Sequence, residues 1–288
     1  MGWPTKLVVV VPSLDGNLTG KLARVRNSSN LTYIVYQRQD PGAARYSPNF
    51  GFEGGVHVQF VHDEYEDLPE VTAFLQDRAE QHNPNIEQWL GCLREDMAYA
   101  PLTGVRLLRR GLDVWRDQVG GRDAIVEQCW RNMLAAFDLS GLLPPRAKPT
   151  VGYYQGALFA ASRAQLRLHP RSAYARAHAL LAGGDGRCHH GELQWETLFS
   201  PRLPTTVALD APANCKHTSA GAWEHLEHII VGGMGRNGSL RAPYKFDFCS
   251  AYRADCPGTP CSRRAAARVH GPNRRQNRTL QTRTREQQ

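Results

Sequence analysis

Pro69 and Gln76 bracket the run that most constrains this chain. Val71-Thr72-Ala73-Phe74-Leu75 has strand length, is cut off from a preceding helical pattern by Pro69, and stops at the polar pair Gln76-Asp77. A short run this apolar reads as a strand buried on both faces, which belongs in a sheet covered by helices. Leu7–Val11 and Leu31–Tyr36 are aliphatic runs of the same kind, and Val151–Ala161 reads as a further buried strand. Helical spacing joins Val56, Phe60, Val61 and Tyr65, then Ile86, Trp89, Leu90, Leu93 and Met97, then Ile125, Val126, Cys129, Met133, Leu134 and Phe137. The order of elements predicts an α/β fold: one mixed, mostly parallel sheet covered by helices. Phe60, Tyr65, Phe74, Trp89, Phe159 and Trp195 should be largely buried in it.

Further along, Pro101 to Arg110 reads as irregular and basic. Ser162 with Gln165 forms a capping box, Pro170 opens a helix to about Leu181, and Trp223–Val231 reads as one more helix. The domain is therefore expected over residues 1–231. An irregular Gly/Pro/Cys-containing extension, 232–261, and an Arg-rich tail, 262–288, follow it.

The charge sits unevenly. The chain of 288 residues carries +8, but Ser262–Gln288 holds eight arginines against one glutamate, a net +7, so the remainder is close to neutral. A segment with that composition and no apolar period is expected to be disordered. It is either a solvated extension or a contact for nucleic acid or an anionic membrane surface. No run of 18 apolar residues would span a bilayer, and Leu7–Val11 is too short for a signal core. The chain as written is expected to be cytoplasmic, with the Golgi lumen the alternative if a leader precedes it. Five Asn-x-Ser/Thr sequons, at Asn17, Asn27, Asn30, Asn237 and Asn277, do not choose between these. Of seven cysteines, Cys92 and Cys129 fall inside helical patterns and read as small core residues. Cys249, Cys256 and Cys261 cluster, and would form one disulfide in a secretory chain.

Polar residues concentrate where buried elements end. Asn49, Gly51 and Glu53 precede and open the first helix, while Gln76, Asp77 and His82 follow the Val71–Leu75 strand. Ligands in open α/β sheets are held beyond the carboxyl ends of strands, so these side chains would converge on one small polar ligand. Each has a plainer reading too: Glu53 complementing the helix dipole, Asn49 and Gly51 serving a tight turn. Glu192, beside Trp195, is either a carboxylate with a raised pKa fit for general-base work or a helix-start residue next to a core indole. Cys215, His217, His225 and His228 have poor spacing for structural zinc. The absence of a phosphate-binding Gly-x-x-x-x-Gly-Lys loop, a Gly-x-Gly-x-x-Gly turn and a Gly-x-Ser-x-Gly elbow argues against a kinase, a standard dehydrogenase and an α/β-hydrolase.

Asn49, Gly51, Glu53, Tyr65, Leu68, Pro69, Phe74, Leu75, Gln76 and His82 form one ungapped pattern. A second block comprises Phe159-Ala160-Ala161-Ser162-Arg163, Pro170, Tyr174, Glu192, Trp195, Leu198 and Phe199. Together they resemble the domain of unknown function 3431 family of fungi, bacteria and algae, over roughly Leu7 to Phe199. Members of that family look like nucleotide-sugar glycosyltransferases. The resemblance implies a nucleotide-sugar donor and a glycan or other hydroxyl acceptor, with Glu192 and Asp77 as catalytic groups. Asn49, Gly51, Glu53, Gln76, His82 and Trp195 would bind ligand. Two departures stand in that pattern: Gln76-Asp77-Arg78 replaces Gln-Gly-Asp, and Phe52 replaces an Arg. No Asp-x-Asp is present. The leaving diphosphate would therefore be neutralised either by a divalent cation (manganese or magnesium) or by Arg78.

Overall fold

The computed structural model describes residues 2–13, 16–17, 31–47, 52–104, 106–110, 123–143, 150–182, 218–234, 246–256, 258–259 and 261. The aliphatic runs form strands as their composition demands: β1 (Leu7–Ser13), β2 (Thr32–Gln37) and β3 (Val71–Phe74). They join β4 (Tyr99–Pro101) and β7 (Phe159–Ser162) in a five-stranded sheet of order β2-β1-β3-β7-β4. β1 pairs in parallel with β2 and β3, whereas β7 runs antiparallel to both β3 and β4. The sheet is mixed, with a parallel centre, and helices cover it.

Alternate residues of the strands feed two cores. Val8, Val10, Phe74 and Phe159 face α1 (Phe52–Asp63), α3 (Asp123–Ala136), α5 (Arg171–Ala182) and α6 (Thr218–Ile230). Val9, Val11, Ala73 and Ala160 face α2 (Ile86–Gly91) together with Ala251, Tyr252 and Cys256. A short helix, α4 (Arg163–Leu166), follows β7. Its cap is as predicted in one half: the Ser162 hydroxyl accepts from the Gln165 amide at 3.2 Å, but the Gln165 side chain bonds the Val231 carbonyl instead. Phe60, Phe74, Trp89 and Phe159 are buried and Tyr65 is half-buried. Trp195 lies outside the described residues. No helix among the described residues is long and apolar enough to cross a membrane.

Four sequence expectations need correction. Val151–Ala161 is not one strand. Gly156 (φ 88°) and Ala157 (φ 48°) turn the chain at Gln155–Ala157. The first half becomes β6 (Thr150–Tyr154), paired with β5 (Arg106–Arg110) in a separate two-stranded sheet. The second half enters the main sheet as β7. Secondly, Pro101–Arg110 is not simply irregular, because β4 ends at Pro101 and β5 spans its last five residues. A proline ending a strand needs no ladder donor. Thirdly, the helix begun at Ile86 stops at Gly91; Leu93 then forms a bridge with Tyr252. Finally, Cys92 is not a free core thiol but is bonded to Cys256, while the cluster of Cys249, Cys256 and Cys261 does hold one internal disulfide, Cys249–Cys261. Cys129 is disulfide-bonded as well.

Candidate functional site

The connections of the sheet define where a ligand would sit. β1 leads to β2 on one side and β3 leads toward β4 on the other, so the order reverses between β1 and β3. The carboxyl ends of strands at such a reversal are where open α/β sheets hold ligands. At that end β1 contributes Ser13, which is buried and donates its hydroxyl to the Asn17 carbonyl at 2.7 Å. β2 contributes Arg38, 6% exposed, one residue past Gln37.

β3 contributes the turn that the sequence had marked. Its extension Leu75 is fixed from below, the amide donating to the Val10 carbonyl at 3.0 Å. From α1, His57 donates its Nε2 proton to the Leu75 carbonyl at 3.0 Å, while His57 Nδ1 accepts from the Trp223 indole at 3.4 Å. His57 is fully buried and neutral, its pKa pushed down to about 3, chiefly by burial, with the Arg38 charge adding to the effect and the Leu75 carbonyl opposing it. Glu53 stands four residues earlier on the same helix and so shares the face of His57 that meets the strand end. Trp223 reaches this contact by packing on Gly54, where a Cβ would fall 2.8 Å from its ring.

Gln76 and Asp77 follow half-buried, and Arg78 takes a left-handed backbone (φ 56°) before the short turn Ala79–Gln81. His82 comes next, half-buried and with its pKa lowered by burial. Its ring lies against Gly156, where a Cβ would be 3.2 Å from Cγ. Asn83 anchors the loop, its side-chain amide donating to the Leu102 carbonyl at 2.8 Å beyond β4. Because β7 is reversed, the Gln155–Ala157 turn before it reaches the same end of the sheet. There the Gly156 amide donates to Glu224 of α6 at 2.8 Å.

The structure thus brings Gln76, Asp77 and His82 into one turn beyond β3 and sets Glu53 on the helix that braces it. Asn49, Gly51, Glu192 and Trp195 lie outside the described residues. Sequence reasoning passed over His57, Arg38 and Glu224. His57 sat inside an apolar helical stripe, where only its polarity marked it. Glu224 sat in a helix with no strand-end context. Other residues of the motif are structural: Leu68 is fully buried, and the Tyr65 hydroxyl donates to the His169 carbonyl at 2.8 Å.

For a divalent cation the donor set is thin. Among the described residues no three His, Cys, Asp or Glu side chains are grouped to hold a metal, and this includes the buried His225 and His228. The turn carries two carboxylates, Asp77 and Glu80, too few for a cage, which suits a cation arriving with substrate phosphates rather than one held by protein alone. A cavity of about 1130 Å³ lies at the opposite, amino end of β1 and β3, bordered by Lys6, Glu70, Arg94 and Glu95. Its charges pair with one another across exposed surface, as in Lys6–Glu95 at 2.9 Å and Arg94–Asp96 at 2.6 Å. No family model, no curated protein and no solved structure matches the chain.

Proposed function

We propose that this is a glycosyltransferase-like domain that binds a nucleotide sugar at the carboxyl ends of β1 and β3 and passes the sugar to a hydroxyl acceptor. The observation that carries the reading is the turn Gln76–His82, a polar segment set directly on a fully buried strand at the reversal of strand order. The likeness of its residues to the domain of unknown function 3431 family supports the same reading.

In that reaction the acceptor oxygen attacks the anomeric carbon, the bond from that carbon to the phosphate oxygen breaks, and the nucleoside diphosphate leaves. Glu192 takes the acceptor proton as general base. Gln76 and His82 hydrogen-bond the donor. Asp77 holds it directly or through a manganese or magnesium ion, which would screen the diphosphate charge. Arg78 is the alternative screen and needs no metal. Asn49, Gly51, Glu53 and Trp195 complete the binding set in this reading.

A second reading is a carbohydrate-binding domain without turnover. It is favoured by Arg78, which stands where the resembled family has an Asp. One experiment separates the two. A thermal-shift screen of nucleotide sugars, with and without manganese, is followed by a measurement of nucleoside diphosphate release in the presence of hydroxyl acceptors. A transferase gives both a shift and release, and a binder gives a shift alone. The absence of any shift across the donor panel would sink both.

A further inference from the structure

We infer that residues 246–256, 258–259 and 261 belong to a disulfide-locked strap through which the oxidation of Cys92 and Cys256 holds the β4 side of the strand-end site, so that the chain completes this site only in an oxidising compartment. This rests on packing and covalent geometry, not on the transfer reaction. Cys92 follows α2 directly, and Cys256 is 164 residues away in sequence with its Cα at 5.8 Å. Both are nearly buried. Around this bond the strap is joined to the domain by backbone hydrogen bonds, Arg94 amide to Ala251 carbonyl and Arg253 amide to Cys92 carbonyl, each 2.9 Å. A second disulfide, Cys249–Cys261, closes the strap on itself.

From there the contacts lead to the site. Tyr252 is fully buried against Trp89, ring centroids 5.3 Å apart, and its hydroxyl donates at 2.6 Å to the carbonyl of Pro101, the last residue of β4. The Trp89 indole donates to the Gly258 carbonyl at 3.0 Å. One residue beyond Pro101, the Leu102 carbonyl takes the Asn83 amide, and Asn83 adjoins His82. Among the described residues β4 is a three-residue edge strand that pairs with β7, and the Tyr252 hydroxyl of the strap adds a hydrogen bond at its last residue.

Closing each disulfide removes two electrons and two protons from a pair of thiols. They pass by exchange to the disulfide of a thiol–disulfide oxidoreductase, which leaves as the dithiol. Such partners persist in oxidising compartments.

The test uses the full chain expressed under oxidising conditions. Non-reducing peptide mapping should recover the Cys92–Cys256 link. Dithiothreitol should then lower Tm by roughly 5–15 °C. Amides of 76–83 and of Tyr99, Ala100 and Leu102 should lose hydrogen-exchange protection while β1 keeps its own. Cys92→Ala combined with Cys256→Ala should reproduce that pattern, and the reductant titration of the unaltered chain needs no variant to fold. Mapping that finds Cys92 and Cys256 as thiols would overturn the proposal. So would a protection loss confined to 246–261 on reduction.

Discussion

His57 and Trp223 meet beneath the end of β3, the indole donating to one imidazole nitrogen at 3.4 Å while the other nitrogen donates to the Leu75 carbonyl. Both ring nitrogens are engaged only when the imidazole is neutral, one donating and one accepting. Its folded pKa of about 3 lies below the ordinary value of 6.5. Between those values the unfolded chain binds a proton that the folded chain refuses, so stability is complete above pH 6.5 and declines as pH falls toward 3. The lowered pKa values of His82 and His178 act in the same direction. Urea unfolding should show a loss of about 2 kcal/mol from His57 alone by pH 5. The His57→Gln variant should show a shallower slope over that interval.

Gly54 has no room for a methyl group, since an added Cβ would stand 2.8 Å from the Trp223 ring and its backbone belongs to α1. Gly54→Ala should destabilise by roughly 1–3 kcal/mol through overpacking, although alanine is the better helix former. A variant as stable as the parent in chemical denaturation would mean that Trp223 can move away at no cost.

Phe74 lies fully buried between Phe159, 4.8 Å away by ring centroid, and the rings of His57 and Phe60. Phe74→Ala should lower stability by roughly 3–5 kcal/mol. A loss below about 1 kcal/mol would place the strand at the periphery of the fold.

Arg78 holds a left-handed backbone on an exposed turn. An arginine there bears a penalty of roughly 1–2 kcal/mol that glycine escapes. Arg78→Gly should therefore raise the unfolding midpoint. Should it also raise the dissociation constant for a nucleotide sugar, Arg78 takes part in holding the diphosphate.

Asp77→Asn keeps the shape of the side chain and removes its charge. On the proposed function it should weaken donor binding by about tenfold or more, as for a lost charged hydrogen bond or metal ligand. Glu192→Gln should instead abolish turnover and leave donor binding nearly intact. Calorimetry and a release assay on the two variants distinguish the roles. If the two variants behave alike, the division of labour is wrong.

Strands β1 and β3 were legible because runs such as Val8–Val11 and Val71–Leu75 are apolar on both faces, a pattern few other environments tolerate, whereas β2 is a largely half-buried edge strand despite a similar composition. The polar turn at Gln76–His82 was legible for the converse reason. Where composition alone served, the reading blurred. Tyr153, Tyr154, Leu158 and Phe159 look continuous as apolar residues, yet the left-handed backbone at Gly156 and Ala157 divides them between two sheets. Leu93 and Met97 fit a helical period that Gly91 ends. The Cys92–Cys256 bond depends on proximity across 164 residues, which no local pattern encodes. Glu224 reaches the site only because β7 is reversed, a property of the whole sheet.

The place of β7 also sets a timetable. It lies between β3 and β4, although both precede it in the chain by more than fifty residues. While the protein is being made, β4 emerges with no neighbour to pair with, and β3 keeps one open edge until Phe159–Ser162 arrives to bridge them. Assembly of the sheet must wait for that single four-residue segment. In the interval the growing chain exposes an unpaired strand edge, the condition under which nascent chains stick to one another and depend on chaperones.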